Sequence, residues 1–218
     1  MSETVRRVPI QDRSRQRVER ILAAAVEILG EVGFEAATME GIAQRAETSI
    51  GSLYQFFPNK VAIFDEVAGR YLTGARALFD QLWTPELLSA PWETLIDRFV
   101  DAFALFDLSD PAFRVLMRNV QASPGFIRAG EAMNREVAGR IKSAIEHYAP
   151  QLGAEELEVV SVMVVEITAA MLFYSARHTG PLGPRLVEES KTVLKRYLAP
   201  MVTRPAPLKK KRRGTPRG

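Results

Sequence analysis

Apolar positions along this chain recur at helical spacing rather than in alternation. Val18, Ile21, Leu22, Ala25, Leu29 and Val32 form one stripe, and Gly33 follows it as a stop signal. Thr38 stands as an N-cap before a short helix ending near Ala46, and Ser49 before a second running to about Phe56. Pro58 breaks that helix, and Asn59 can cap a longer one reaching about Leu82. Beyond it, Pro and Gly residues separate five further segments near 92–107, 111–121, 125–148, 154–178 and 184–199. No period-two run or hairpin signal competes. The pattern predicts an all-α protein of about nine helices, three short ones in front and a bundle of about six behind.

The second and third predicted helices are about eight residues each, joined at Ala46-Glu47-Thr48. That is helix-turn-helix geometry, whose second helix enters the DNA major groove. Ile42, Ala43, Ala46 and Leu53 are expected to face inward over a floor of Leu22, Val26 and Phe34, with Phe57 also in the core. The outer face then carries Thr48, Ser49, Gly51, Ser52, Tyr54 and Gln55, hydroxyls and an amide suited to phosphates and base edges. Gly51 allows close approach of the backbone to the duplex. Thr38, Arg45 and Lys60 complete the candidate DNA contacts, Lys60 as a point charge on a phosphate.

Thr38, Ile42-Ala43, Ala46, Ser49, Gly51-Ser52-Leu53-Tyr54, Phe56-Phe57 and Asn59-Lys60 together resemble the DNA-binding signature of the tetracycline-repressor (TetR) family. Gly33-Phe34 upstream fits the same pattern, and the resemblance covers about residues 14–65. Glu47 departs from it, since the family usually has Gly at that turn position. A left-handed backbone there costs Glu about 1 kcal/mol relative to Gly, so a slightly reshaped turn with Glu47 toward solvent is expected. The resemblance implies that the remaining helices form a small-molecule sensor and a dimer interface.

Charge is distributed unevenly. Residues 1–60 balance, residues 61–203 carry 14 Lys/Arg against 18 Asp/Glu, and residues 204–218 carry seven and none. The high pI therefore comes from the tail. The expected organisation is a basic flexible arm at 1–14 (with Arg6, Arg7 and Arg13), a DNA-binding domain at 15–60, a ligand-binding and dimerisation domain at 61–203, and a disordered basic tail at 204–218. The tail run Lys209–Arg213 is expected to add non-specific DNA affinity. There is no cysteine, which removes disulfides and thiolate metal sites and suits a cytoplasmic protein. No signal peptide or run of 18 apolar residues is present, so no membrane partner is expected. His147 and His178 lack carboxylates at metal-ligand spacing, and no catalytic constellation or phosphate loop is found. The chain is expected to be no enzyme and to need no metal or cofactor.

In the larger half, aromatic and Met side chains cluster between Trp83 and Met133. They suit an adaptable apolar pocket, with Phe103, Phe106 and Met117 as candidate wall residues. Glu166, within an apolar run, faces either that pocket, to hold a ligand cation, or solvent. Leu157, Val160, Val164, Thr168, Met171 and Ser175 fall on one face, a candidate dimer seam with the helix near 184–199. The leading expectation is a homodimeric repressor released from an inverted-repeat operator on double-stranded DNA by a small hydrophobic effector. The alternative is a helical regulator answering to a protein partner, or an activator.

Overall fold

Short-range chemistry sets the helix boundaries. In the computed structural model, which describes residues 10–178 and 180–202, the helices are α1 (Ile10–Ala36), α2 (Met39–Arg45), α3 (Ile50–Phe56), α4 (Lys60–Leu82), α5 (Pro85–Leu88), α6 (Trp92–Ser109), α7 (Pro111–Arg118), α8 (Pro124–Tyr148), α9 (Ala154–Arg177) and α10 (Leu182–Val202). A 3-10 turn, Val120–Ala122, links α7 to α8. The fold is all-α, with ten α-helices among the described residues rather than about nine. The extra one is α5, four residues long and too short to show a period. Arg6 and Arg7 of the arm, and the tail from 204 with Lys209–Arg213, lie outside the described residues.

Thr38, Ser49 and Asn59 each accept a backbone N–H three residues on, from Gly41, Ser52 and Ala62. Each removes one of the orphan donors of a helix start. Gly33 has φ of 80°, so it bends α1 instead of ending it, and the chain continues to Ala36. The bend re-aims the apolar stripe. Val32 is left 53% exposed, while Phe34 turns inward and meets the Phe64 ring edge-on at 5.6 Å. Pro184 falls in the first turn of α10, where its missing N–H has no intrahelical acceptor anyway. That helix therefore starts at Leu182, earlier than the proline suggested.

Two cores hold the chain. The first joins α1–α3 to the first half of α4 and to Phe113, Val115, Leu116, Met117 and Phe126. Helix α7 and the start of α8 thus complete the core beneath the N-terminal helices, and the packing does not divide at residue 60. The second core lies among α6, α8, α9 and α10. Helix α9 is long and apolar enough to cross a membrane by length and composition, although no 18 consecutive residues are apolar. Only a third of its most apolar stretch is buried. It packs extensively against α8 and α10, which leaves one apolar side uncovered.

Candidate nucleic-acid interface and ligand cavity

Helices α2 and α3 cross on small residues. Ala43 and Ala46 are buried with Ile42 and Leu53, as the helix-turn-helix pattern requires. The turn between them is a Schellman motif: Thr48 N–H donates to Ala43 O (3.0 Å) and Glu47 N–H to Gln44 O (3.1 Å). Such a motif needs a left-handed residue at its centre, and Glu47 supplies it with φ of 48°. The turn keeps its shape despite the missing glycine, and the Glu47 side chain is exposed. Glu47→Gly should therefore raise unfolding free energy by up to about 1 kcal/mol, read by urea denaturation. Unchanged or lower stability would show that the turn carries no strain.

Thr48, Ser49, Gly51, Ser52, Tyr54 and Gln55 come together on the turn and α3. Tyr54 is 49% exposed, and a Cβ added at Gly51 would meet nothing within 4 Å, so that strip of backbone is open. Thr38 and Ser49 have a structural task as N-caps. Ser52 Oγ accepts from Arg17 Nη1 at 3.1 Å, which ties α1 to the outer edge of α3.

Two candidate contacts are engaged elsewhere. Arg45 points back along α1, bidentate on Glu31 (3.0 and 2.9 Å) and bonded to Glu27 (3.0 Å). The hydrogen bond from Arg45 holds the Glu31 carboxyl below its ordinary range. Lys60 turns inward. Its Nζ donates to the carbonyls of Phe34 (2.8 Å), Glu35 (3.0 Å) and Ala37 (3.2 Å), and sits 4.7 Å from the Phe34 ring centre. An ammonium satisfied by the last carbonyls of a helix is a C-terminal cap. In this state it is not a free charge facing outward.

Behind this unit lies a cavity of about 440 Å³ between α4, α6, α8 and α9. Phe103 and Met117 line it, as do Trp83, Trp92, Phe99, Phe126 and Met133. Phe106 does not. One turn beyond Phe103 it lies against Tyr71, ring centres 5.6 Å apart, and crowds Gly74, where an added Cβ would meet its ring at 3.0 Å. Glu166 borders the cavity from an exposed position, and its carboxylate accepts from Asn134 Nδ2 at 3.2 Å.

The most unusual wall residues are Tyr71 and Asp107, which sequence reasoning missed. Tyr71 Oη donates to Asp107 Oδ1 at 2.9 Å, and both residues are buried. Burial pushes the Asp107 carboxyl up to about 7, Tyr71's hydrogen bond opposes this, and Asp110 adds to it. A signal existed: Asp107 continues the buried stripe Ile96, Val100 and Ala104, where a carboxylate is out of place. Asn119 was also missed. Its Oδ1 accepts from Phe34 N–H at 3.0 Å, fastening the end of α7 to the bend in α1.

Comparison with known proteins agrees with this architecture. Residues 21–67 match the model for bacterial regulatory proteins of the tetR family, and residues 91–198 match the tetracyclin repressor-like C-terminal domain. The HTH-type transcriptional repressor KstR of Mycolicibacterium smegmatis is 41% identical over 56 residues, 26% of this chain and 28% of that protein. The match therefore spans under a third of that relative's length. The HTH-type transcriptional regulator YhgD of Bacillus subtilis is 24% identical over 175 residues, covering 78% of this chain and 90% of that one. A TetR-family transcriptional regulator from Streptomyces coelicolor superposes with a TM-score of 0.56 at 25% identity, over 85% of this chain and 99% of that one. With both halves of the architecture matched in order, the chain belongs to the TetR family of transcriptional regulators.

Proposed function

We propose that this regulator is a cytoplasmic homodimeric repressor that binds an inverted repeat and is released by a small, largely apolar effector. The observation that carries the reading is shared packing. Met117 and Phe126 line the cavity and also belong to the core beneath α1–α3. A molecule entering the cavity presses on the residues that support the reading head. A ligand that prefers the displaced arrangement shifts the equilibrium away from DNA, and the operator weakens that ligand by the same factor.

The DNA face in this reading is Thr48, Ser49, Gly51, Ser52, Tyr54 and Gln55, with Thr38 at the start of α2. Arg45 and Lys60 act on it indirectly, through α1. Tyr54→Ala should weaken operator binding on the order of tenfold, the loss of one good contact, with the fold unchanged because the ring is half exposed. Footprinting on selected sequences should give half-site centres about 10 bp apart or a multiple of that. Stable occupation of isolated half-sites by a monomer would overturn the dimeric reading. For the effector, a thermal-shift screen of hydrophobic molecules followed by operator titration is decisive. Hits that stabilise the protein yet leave operator affinity unchanged would favour control by a protein partner.

A further inference from the structure

Asp107 is the one buried carboxylate among the described residues, 3% exposed. Its hydrogen-bond partner is the Tyr71 hydroxyl, which takes one of its two oxygens. No cation among the described residues pairs with it. The ion pairs of the described residues use other carboxylates, such as Asp97, Asp101 and Glu136. The groups acting on Asp107 are Tyr71 from α4 and Asp110 at the N-cap of α7, and the latter carries a like charge. A buried acid without a cation is destabilising, and the usual remedies are a counter-charge or protonation.

Asp107 also lines the cavity. The other ionisable carboxyl and basic groups on the cavity wall are Glu131, Glu166 and Arg177, all exposed. Carboxylates thus outnumber guanidinium three to one, and the deepest of them is unpaired. Between these groups the wall is aromatic and aliphatic, with Trp92, Phe99 and Phe103 prominent. Aromatic faces attract cations and repel anions.

Resting on the effector reading, we infer that the cavity takes an organic cation, an apolar body with one protonated nitrogen, and that the nitrogen seats on Asp107. The cation supplies the charge the fold omits, and the second carboxylate oxygen receives its N–H. A fatty carboxylate places like charge against Asp107 and is rejected. The seat also lies where binding can be felt. Tyr71 stacks on Phe113 at 5.1 Å and meets Phe126 edge-on at 6.4 Å, both members of the core beneath the reading head. A nitrogen seated on the second oxygen shares the carboxylate with the Tyr71 hydroxyl and so is coupled to α4.

The test uses three probes with one chain and three head groups, decylamine, 1-decanol and decanoate. Each is titrated into the full-length protein by calorimetry at neutral pH, below self-association. Decylamine should bind at least about tenfold tighter than 1-decanol, with decanoate weakest. Asp107→Asn should remove the amine's advantage and leave 1-decanol within a few-fold. Glu166→Gln should leave the advantage standing. Folding of Asp107→Asn has its own readout. The carboxyl is raised from 3.8 to about 7, so the native state binds the proton more tightly and wild-type stability falls as pH rises through that window. The variant's gain in melting temperature should therefore grow from pH 4 to pH 7 and then level off. An amine no tighter than the alcohol overturns the inference and leaves the effector reading intact. Loss of the preference in Glu166→Gln instead overturns the seat. Failure of all three probes to bind counts against the effector reading as well.

Discussion

The double variant Val162→Glu, Met163→Glu is expected to be monomeric at micromolar concentration and to bind operator at least about a hundredfold more weakly than wild type. Val159, Val162, Met163, Ala170 and Tyr174 form one exposed stripe on α9 around Glu166, and Leu182 and Val193 are exposed apolar residues of α10, which packs against α9. Val159 is 56% exposed and Met163 is 41%. An exposed apolar stripe along a long helix is the kind of surface an isologous dimer covers. Val162 and Met163 are 38% and 41% exposed in the subunit, so covering what remains of each is worth about 1 kcal/mol. Two carboxylates in their place, doubled by symmetry and close to Glu166, oppose association by desolvation and repulsion. Because both positions are exposed within the subunit, helix content should be retained, so loss of DNA binding cannot be ascribed to unfolding. Sedimentation equilibrium and operator titration provide the check. A variant that remains dimeric with wild-type affinity would rule out this face as the interface.

The same helix shows where the sequence stops being legible. Leu157, Val160, Val164, Thr168, Met171 and Ser175 were the expected dimer seam, yet Leu157, Val160, Val164 and Ser175 are buried within their own subunit. Helix α9 is apolar nearly all round, so its period has no phase, and sequence alone does not say which apolar side meets which neighbour. The caps at Thr38, Ser49 and Asn59 were legible because their partners lie three residues away. At Glu47 the place of the turn and the exposed side chain were legible, but the left-handed backbone was not, since a reshaped turn was expected there. Phe103 and Met117 on the cavity wall followed from residue type, but Phe106, three residues from Phe103, is turned toward Tyr71. Asp107, Asn119 and Lys60 depended on partners 36, 85 and about 25 residues away. Local pattern carries no information about those distances.

Lys60→Met is expected to lower the unfolding free energy by about 2–3 kcal/mol, in the range of charge-assisted hydrogen bonds. The wild-type ammonium closes three carbonyls at the end of α1, where the helix dipole is negative. Methionine keeps the length of the stem and its contact with Phe34 but offers those carbonyls nothing. The bonds to Phe34 and Ala37 are part-buried, so water replaces the ammonium imperfectly there. The end of α1 is gripped from two sides, by Lys60 at the start of α4 and by Asn119 at the end of α7. Losing one grip loosens the coupling between reading head and cavity, so an effector should relieve operator binding less completely in the variant. A direct phosphate contact makes a different forecast. Removing it leaves stability near wild type and reduces the salt dependence of operator binding by about one ion. Urea denaturation together with operator titrations across a series of salt concentrations separates the two. Lower stability with an unchanged salt slope fits the cap, whereas wild-type stability with a slope reduced by about one would return Lys60 to the DNA face.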